Sequence, residues 1–105
     1  MASMTWTSAT VTVTTAGTPV ALSTSLTTAY EKDLAFLYVQ STSGNTGNMI
    51  IGASNVTYSN GQGIVLVKGG AWIDLRDVSL DQLFVDAANS GDKVSILYSQ
   101  NTPDP

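Results

Sequence analysis

At 105 residues, with 43% apolar and only 11% charged side chains and a net charge of −4, the chain is sized for one domain whose polarity is carried by hydroxyls rather than by ions. Only Lys32, Lys68, Arg76 and Lys93 are positive, so no basic patch is available for a phosphate backbone, and neither nucleic acid nor an anionic membrane is an expected partner. The lack of cysteine and histidine removes disulfides, thiolate metal sites, the commonest general base and the commonest transition-metal ligand.

A domain of this size buries roughly two-thirds of the surface its unfolded chain exposes, enough for one two-layer core. The opening Met-Ala-Ser-Met-Thr-Trp lacks the basic and apolar regions of a signal peptide, and no apolar run approaches a membrane span. The expectation is a soluble protein that folds in a cytoplasm.

Thr5 to Thr15 alternates, with Ala9, Val11 and Val13 on one side and threonines on the other, which predicts a half-buried strand. Ala16-Gly17-Thr18-Pro19 breaks it, and a short strand follows with Val20 and Leu22 inward. Ser23 to Asp33 has no clean period and reads as a polar crossover with one helical turn near Thr28 to Lys32. Leu34 to Gln40 is apolar on both parities and so predicts a strand covered on both faces. Ser41 to Asn48 is a turn cluster, Met49 to Gly52 a short strand, and Ala53 to Gln62 a polar loop. Gly63 to Leu75 reads as a hairpin around Gly69-Gly70, with Ile64, Val65, Leu66 and Val67 apolar on both parities. Ser79, with Gln82 three residues on, predicts a capped helical turn. Leu83 to Asp86 and Lys93 to Tyr98 are the last strands.

Seven or eight short strands with regular turn signals and no amphipathic helix predict an all-β fold, a single antiparallel β-sandwich of jelly-roll-like form. One domain spans residues 1–105, with a short N-terminal arm at 1–7 and a C-terminal tail at 100–105.

Catalytic chemistry finds no footing. Asp74, Asp77, Asp81 and Asp86 cluster late in the chain, but their spacing fits no calcium loop and reads as turn caps and solvated charges. No pair of carboxylates is singled out for glycoside hydrolysis, and the serines lack a base. Lys68-Gly69-Gly70 has no phosphate-loop spacing, and Asn55-Val56-Thr57 matches a glycosylation sequon that matters only on secretion. The chain is not expected to be an enzyme, and no catalytic, cofactor or metal residue is assigned.

The aromatic residues carry more. Trp6, Tyr30, Tyr58, Trp72 and Tyr98 could stack on sugars. If Ile73 and Leu75 face the core, Trp72 faces out. Likewise Val65 and Val67 face out when Ile64 and Leu66 point in, and Phe36, Tyr38 and Ile50 face out when Ala35, Leu37, Val39, Met49 and Ile51 point in. Either bulges break these parities and all six are core, or Phe36, Tyr38, Ile50, Val65, Val67 and Trp72 form an apolar outer surface of the kind that marks a protein interface.

The order of motifs resembles a known class. The Thr/Val strand at Thr10 to Thr14, the Gly-x-Pro-Val turn, Val39-Gln40, Asn45-Thr46-Gly47-Asn48, the strand closing on Gly52, Gly63 to Leu66, Gly69-Gly70 and Leu83 to Ala87 together look like the small β-sandwich virion proteins of tailed bacteriophages, among them capsid decoration or cement proteins. The resemblance spans nearly the whole chain and rests on turns and strand alternation. It implies a non-enzymatic structural protein without cofactor, located on the capsid surface of the virion after synthesis in the host cytoplasm. It further implies self-association, as a homotrimer, and binding to the major capsid protein, which stabilises the shell. Phe36, Tyr38, Ile50 and Trp72 depart from the polar residues expected at those outward positions. The alternative is a tail- or fibre-associated carbohydrate-binding module.

Overall fold

A computed structural model describes residues 3–25 and 34–102. Its strands are β1 (Ser3–Thr12), β2 (Val20–Ala21), β3 (Leu34–Ser41), β4 (Met49–Gly52), β5 (Gly63–Leu66), β6 (Trp72–Val78), β7 (Phe84–Ala87) and β8 (Lys93–Thr102). They form two four-stranded antiparallel sheets, a long one in the order β1-β8-β3-β6 and a short one in the order β2-β7-β4-β5. First pairs with last, second with seventh, third with sixth and fourth with fifth. That nesting is a ribbon of strand pairs rolled into a two-layer jelly roll, as the alternation of short strands and turns predicted.

Two expectations about segments need correction. Gly63 to Leu75 is not a hairpin: β5 pairs with β4 in the short sheet, while β6 pairs with β3 in the long one. The glycine turn, with Gly69 at φ 96° and Gly70 at φ 111°, carries the chain across the rim of the sandwich between sheets. The described parts of the expected arm and tail are strand, because Ser3 to Thr7 pairs with Tyr98 to Thr102 and extends the β1–β8 ladder; residues 1–2 and 103–105 lie outside the described residues. The helical turn expected near Thr28 to Lys32 lies outside the described residues.

The core forms where the alternation aims it. Val11, Leu37, Val39, Val94, Ile96 and Tyr98 descend from the long sheet onto Met49, Ile51, Leu66, Val85 and Ala87 of the short one, all buried. Burying an aliphatic side chain of this size is worth about 1.5–3 kcal/mol, so these positions dominate stability. Leu22 and Leu80, in the 3-10 turns Leu22–Ser25 and Leu80–Gln82, are fully buried and join the core of the sandwich. Ser79 precedes the second turn as predicted, but its hydroxyl donates to Asp81 Oδ1 (2.6 Å) rather than capping a backbone N–H. Leu34, on the outward parity of β3, nevertheless joins the core. The β3–β6 ladder skips Ala35 and Asp77, and Asp77 has φ 54°, so both strands twist there and Leu34 and Val78 turn inward together.

Buried polar groups tie the turns to the sheets. Asp92, buried, accepts from the N–H groups of Thr46 and Gly47 (2.9 Å each), and Asn45 exchanges hydrogen bonds with both backbone groups of Lys93. This accounts structurally for the Asn45-Thr46-Gly47-Asn48 motif, which Asp92 and the start of β8 hold in place. Asp86 is fully buried on the outer side of the short sheet and accepts from Gly17 N–H (2.9 Å) and Tyr58 N–H (2.8 Å). It thereby anchors both the Gly17 turn and the 53–62 loop.

Candidate functional site

The outer face of the long sheet is a grid fixed by strand register. Trp6 lies across from Ser99, which lies across from Phe36 and then Arg76; Ser8, Leu97, Tyr38 and Asp74 form the next row; Thr10, Ser95, Gln40 and Trp72 form the third. Each of these residues falls on the parity opposite to the core side chains of its strand, which is why the sequence places them outside.

Its aromatic side chains form one connected run. Trp6 stacks with Phe36 (centroids 6.3 Å apart, planes at 14°) and with Tyr38 (6.3 Å, 23°), and Tyr38 meets Trp72 at a tilt (6.2 Å, 53°). The Arg76 guanidinium covers the far side, 5.3 Å from the Phe36 ring centre. Trp6 and Phe36 belong to strands separated by β8, and they can stack only because the residue between them, Ser99, is small. Ser99 is fully buried there, and among the described residues its hydroxyl has no hydrogen-bond partner. Among the described residues Trp72 is the most exposed large apolar side chain, at 61%.

The position of Trp72 is set by the turn before it. Ser41 Oγ donates to Val67 O (2.7 Å), Gln40 Nε2 donates to Gly70 O (2.7 Å), and Ser41 N–H donates to Ala71 O (2.9 Å). The rim turn is thus pinned to the end of β3. Beside Trp72 and Tyr38 runs an open groove of about 640 Å³ whose floor and opposite wall are Ser8, Thr10, Ser95 and Leu97, with Gln40 at its head. None of these lining residues is charged.

Of the six residues expected to form the apolar surface, the structure brings three together on this face: Phe36, Tyr38 and Trp72. Val65 and Val67 are exposed but belong to the rim of the short sheet, alongside Ile64. Ile64 is a correction, since it was expected in the core and is 52% exposed: β5 is the edge strand of the short sheet, and only Leu66 of its apolar residues is buried. Ile50 is a second correction. It does leave the core side, as its parity predicted, but it is fully buried and cannot line an exposed surface. The 53–62 loop folds back over this side of the short sheet, bringing in the equally buried Val56, with Tyr58 N–H bonded to Asp86, the register partner of Ile50.

Two members of the face were not assigned to it from sequence, Trp6 and Leu97, although each was within reach. Inward Ala9, Val11 and Val13 place Trp6 outward, and inward Val94, Ile96 and Tyr98 do the same for Leu97. Among the other candidates, Tyr98 is buried beneath the long sheet, Tyr58 accepts a hydrogen bond from Asn48 Nδ2 (3.3 Å), and Tyr30 lies outside the described residues. Asp74 and Asp77 are solvated, Asp81 is partly so, and Asp86 anchors backbone. Among the described residues, no three potential metal-ligating side chains converge. Lys68 is an exposed turn residue whose N–H binds Asn48 Oδ1 (2.9 Å).

No protein-family model and no curated protein matches the sequence. A solved structure does match in fold: a chain from work describing Bacillus endospore appendages as a novel family of disulfide-linked pili superposes with a TM-score of 0.52. The match covers 98% of this chain and 92% of that one at 14% sequence identity, which speaks to the sandwich alone.

Proposed function

We propose that this chain is a non-enzymatic structural subunit, a capsid decoration protein that seats the outer face of its long sheet on neighbouring protein subunits and so stabilises a shell. The observation that carries this reading is the connected run of Trp6, Phe36, Tyr38 and Trp72 on a rigid sheet. Aromatic residues with an arginine beside them are the composition of an interface centre, and a continuous apolar patch is costly to leave in water. The pilus chain that shares the fold supports a role in assembly. It belongs to disulfide-linked pili, whereas this chain has no cysteine, so disulfides do not link its copies.

The test is co-sedimentation with intact phage particles, followed by their release of DNA on heating. The protein is expected to bind particles and to raise the release temperature. Trp72→Asp, which leaves the core untouched, is expected to weaken binding by ~30-fold or more, the loss typical of a central aromatic anchor. A protein that never sediments with particles, or a Trp72→Asp variant that sediments normally, overturns this reading.

The groove favours a second reading, a carbohydrate-binding module. Tyr38 and Trp72 offer ring faces beside the hydroxyls of Ser8, Thr10 and Ser95 and the amide of Gln40, a neutral lining suited to a sugar's apolar face and hydroxyl rim. Glycan-array binding that disappears in Trp72→Ala, with no particle binding, would select it over the first.

A further inference from the structure

We propose that β1 is the seam of a two-fold dimer, in which the free edges of two copies pair antiparallel and join two long sheets into one of eight strands.

The four sheet edges of this molecule are not alike. On the short sheet, β2 has only two residues, directly after Pro19, and β5 has four, beginning at Gly63. On the long sheet, β6 carries Asp74, Arg76 and Asp77, and the φ of 54° at Asp77 kinks it. Shortness, proline, charge and kinks are the devices that keep an edge from pairing with another strand. β1 has none of them. It runs ten residues from Ser3 to Thr12 without charge, proline or glycine, and its ladder with β8 continues through every residue without a bulge.

The chemistry of that edge fixes its partner's register. Val13 N–H bonds to Asp92 O and Val13 O accepts from Gly91 N–H, so the odd-numbered backbone groups at this end point towards β8. By the two-residue period of an antiparallel ladder, the N–H and C=O groups of Met4, Trp6, Ser8, Thr10 and Thr12 point away from it. Among the described residues these groups have no partner. A second β1 can satisfy them only if even-numbered residues face even-numbered residues. The two-fold register that uses all five sets Met4 against Thr12, Trp6 against Thr10 and Ser8 against Ser8, so Ser8 sits on the axis.

A second copy fits this edge better than an unrelated strand for two reasons. The edge is uncharged along its length, so an antiparallel copy meets it without like-charge opposition, and the contact is self-complementary about the axis. The outer-face side chains at the seam also match in size: small Ser8 meets small Ser8, and Trp6 of the second copy falls opposite Thr10. Each copy's Trp6 stays stacked on its own Phe36 and Tyr38, so the seam is lined by hydroxyls and needs no aromatic ring to move.

The freedom from cysteine gives a clean test, with mass measured by light scattering and single cysteines oxidised in dilute solution. Wild-type protein is expected at twice the chain mass. Ser8→Cys should cross-link nearly completely, since facing Cα atoms in such a pair are about 5.5 Å apart, within disulfide reach. Thr12→Cys should stay uncross-linked, because its two copies lie about 27 Å apart along the seam. Thr10→Pro removes an outward N–H and leaves the β8 ladder intact; it should halve the mass while keeping the circular dichroism of the folded sheet. A monomer at ~100 μM, a trimer in which Ser8→Cys does not cross-link, equal cross-linking at Thr12 and Ser8, or a Thr10→Pro variant that stays dimeric while folded overturns the proposal. None of these readouts involves phage particles, so the outcome is independent of the capsid reading.

Discussion

Ser99 and Asp86 are two buried polar residues on the outward parity of their strands, with opposite consequences. The Ser99 hydroxyl lies under the stacked rings of Trp6 and Phe36 with no partner among the described residues. An unsatisfied buried hydroxyl costs about 1–3 kcal/mol, so Ser99→Ala is expected to raise stability by ~1 kcal/mol or more, seen as a higher urea midpoint with an unchanged slope. Asp86 does the reverse, since its two oxygens hold the N–H groups of Gly17 and Tyr58. Asp86→Ala strands both donors and loosens two loops, and a loss of ~2–4 kcal/mol is expected by thermal or urea unfolding. Neither role was legible in the sequence. Asp86 reads in sequence as a turn cap or solvated charge and Ser99 falls just beyond the last expected strand, and only the tertiary cover, rings over one and a loop over the other, decides what they do. Trp72 was legible because it needs only the parity of Ile73 and Leu75.

Strands were read more reliably than their partners. Alternation located most of the core of β1, β3 and β4, since period-two burial is a local property of the chain. Pairing is not local, and a glycine turn between two apolar runs looks the same whether it closes a hairpin or carries the chain between sheets. Gly69-Gly70 does the latter, which is why Gly63 to Leu75 was assigned the wrong ladder. The apolar surplus on β4 was misjudged for a related reason: Ile50 is covered by the chain's own 53–62 loop, whose polar sequence conceals one buried anchor, Val56. Gly63 shows how closely that region is built, because a Cβ there would collide with the backbone carbonyl of Ile51 and press on the Ile50 side chain. Gly63→Ala is therefore expected to cost ~3 kcal/mol or more, since a paired backbone rather than a flexible side chain must move, and a large drop in thermal midpoint would register it.

At the scale of the whole molecule, what distinguishes this chain is how little of its architecture depends on charge. The core is apolar, the buried carboxylates Asp86 and Asp92 bind backbone N–H groups rather than cations, and the outer face of the long sheet offers only Asp74 and Arg76 among its three rows. Arg76 is turned to the Phe36 ring. Contacts made by such a face are aromatic and hydrogen-bonded, and salt screens these far less than it screens exposed ion pairs, whose reach shrinks to ~3 Å at 1 M ionic strength. If this face is what binds a shell, affinity measured by co-sedimentation should change less than about 3-fold between about 0.05 and 0.5 M salt. A binding surface built from the acidic residues, with a net charge of −4 behind them, should instead lose or gain affinity steeply over that range. The same titration on Trp72→Asp separates the two, since a charge placed at the centre of the aromatic run should weaken binding at every salt concentration, whereas an acidic docking surface elsewhere should be indifferent to it.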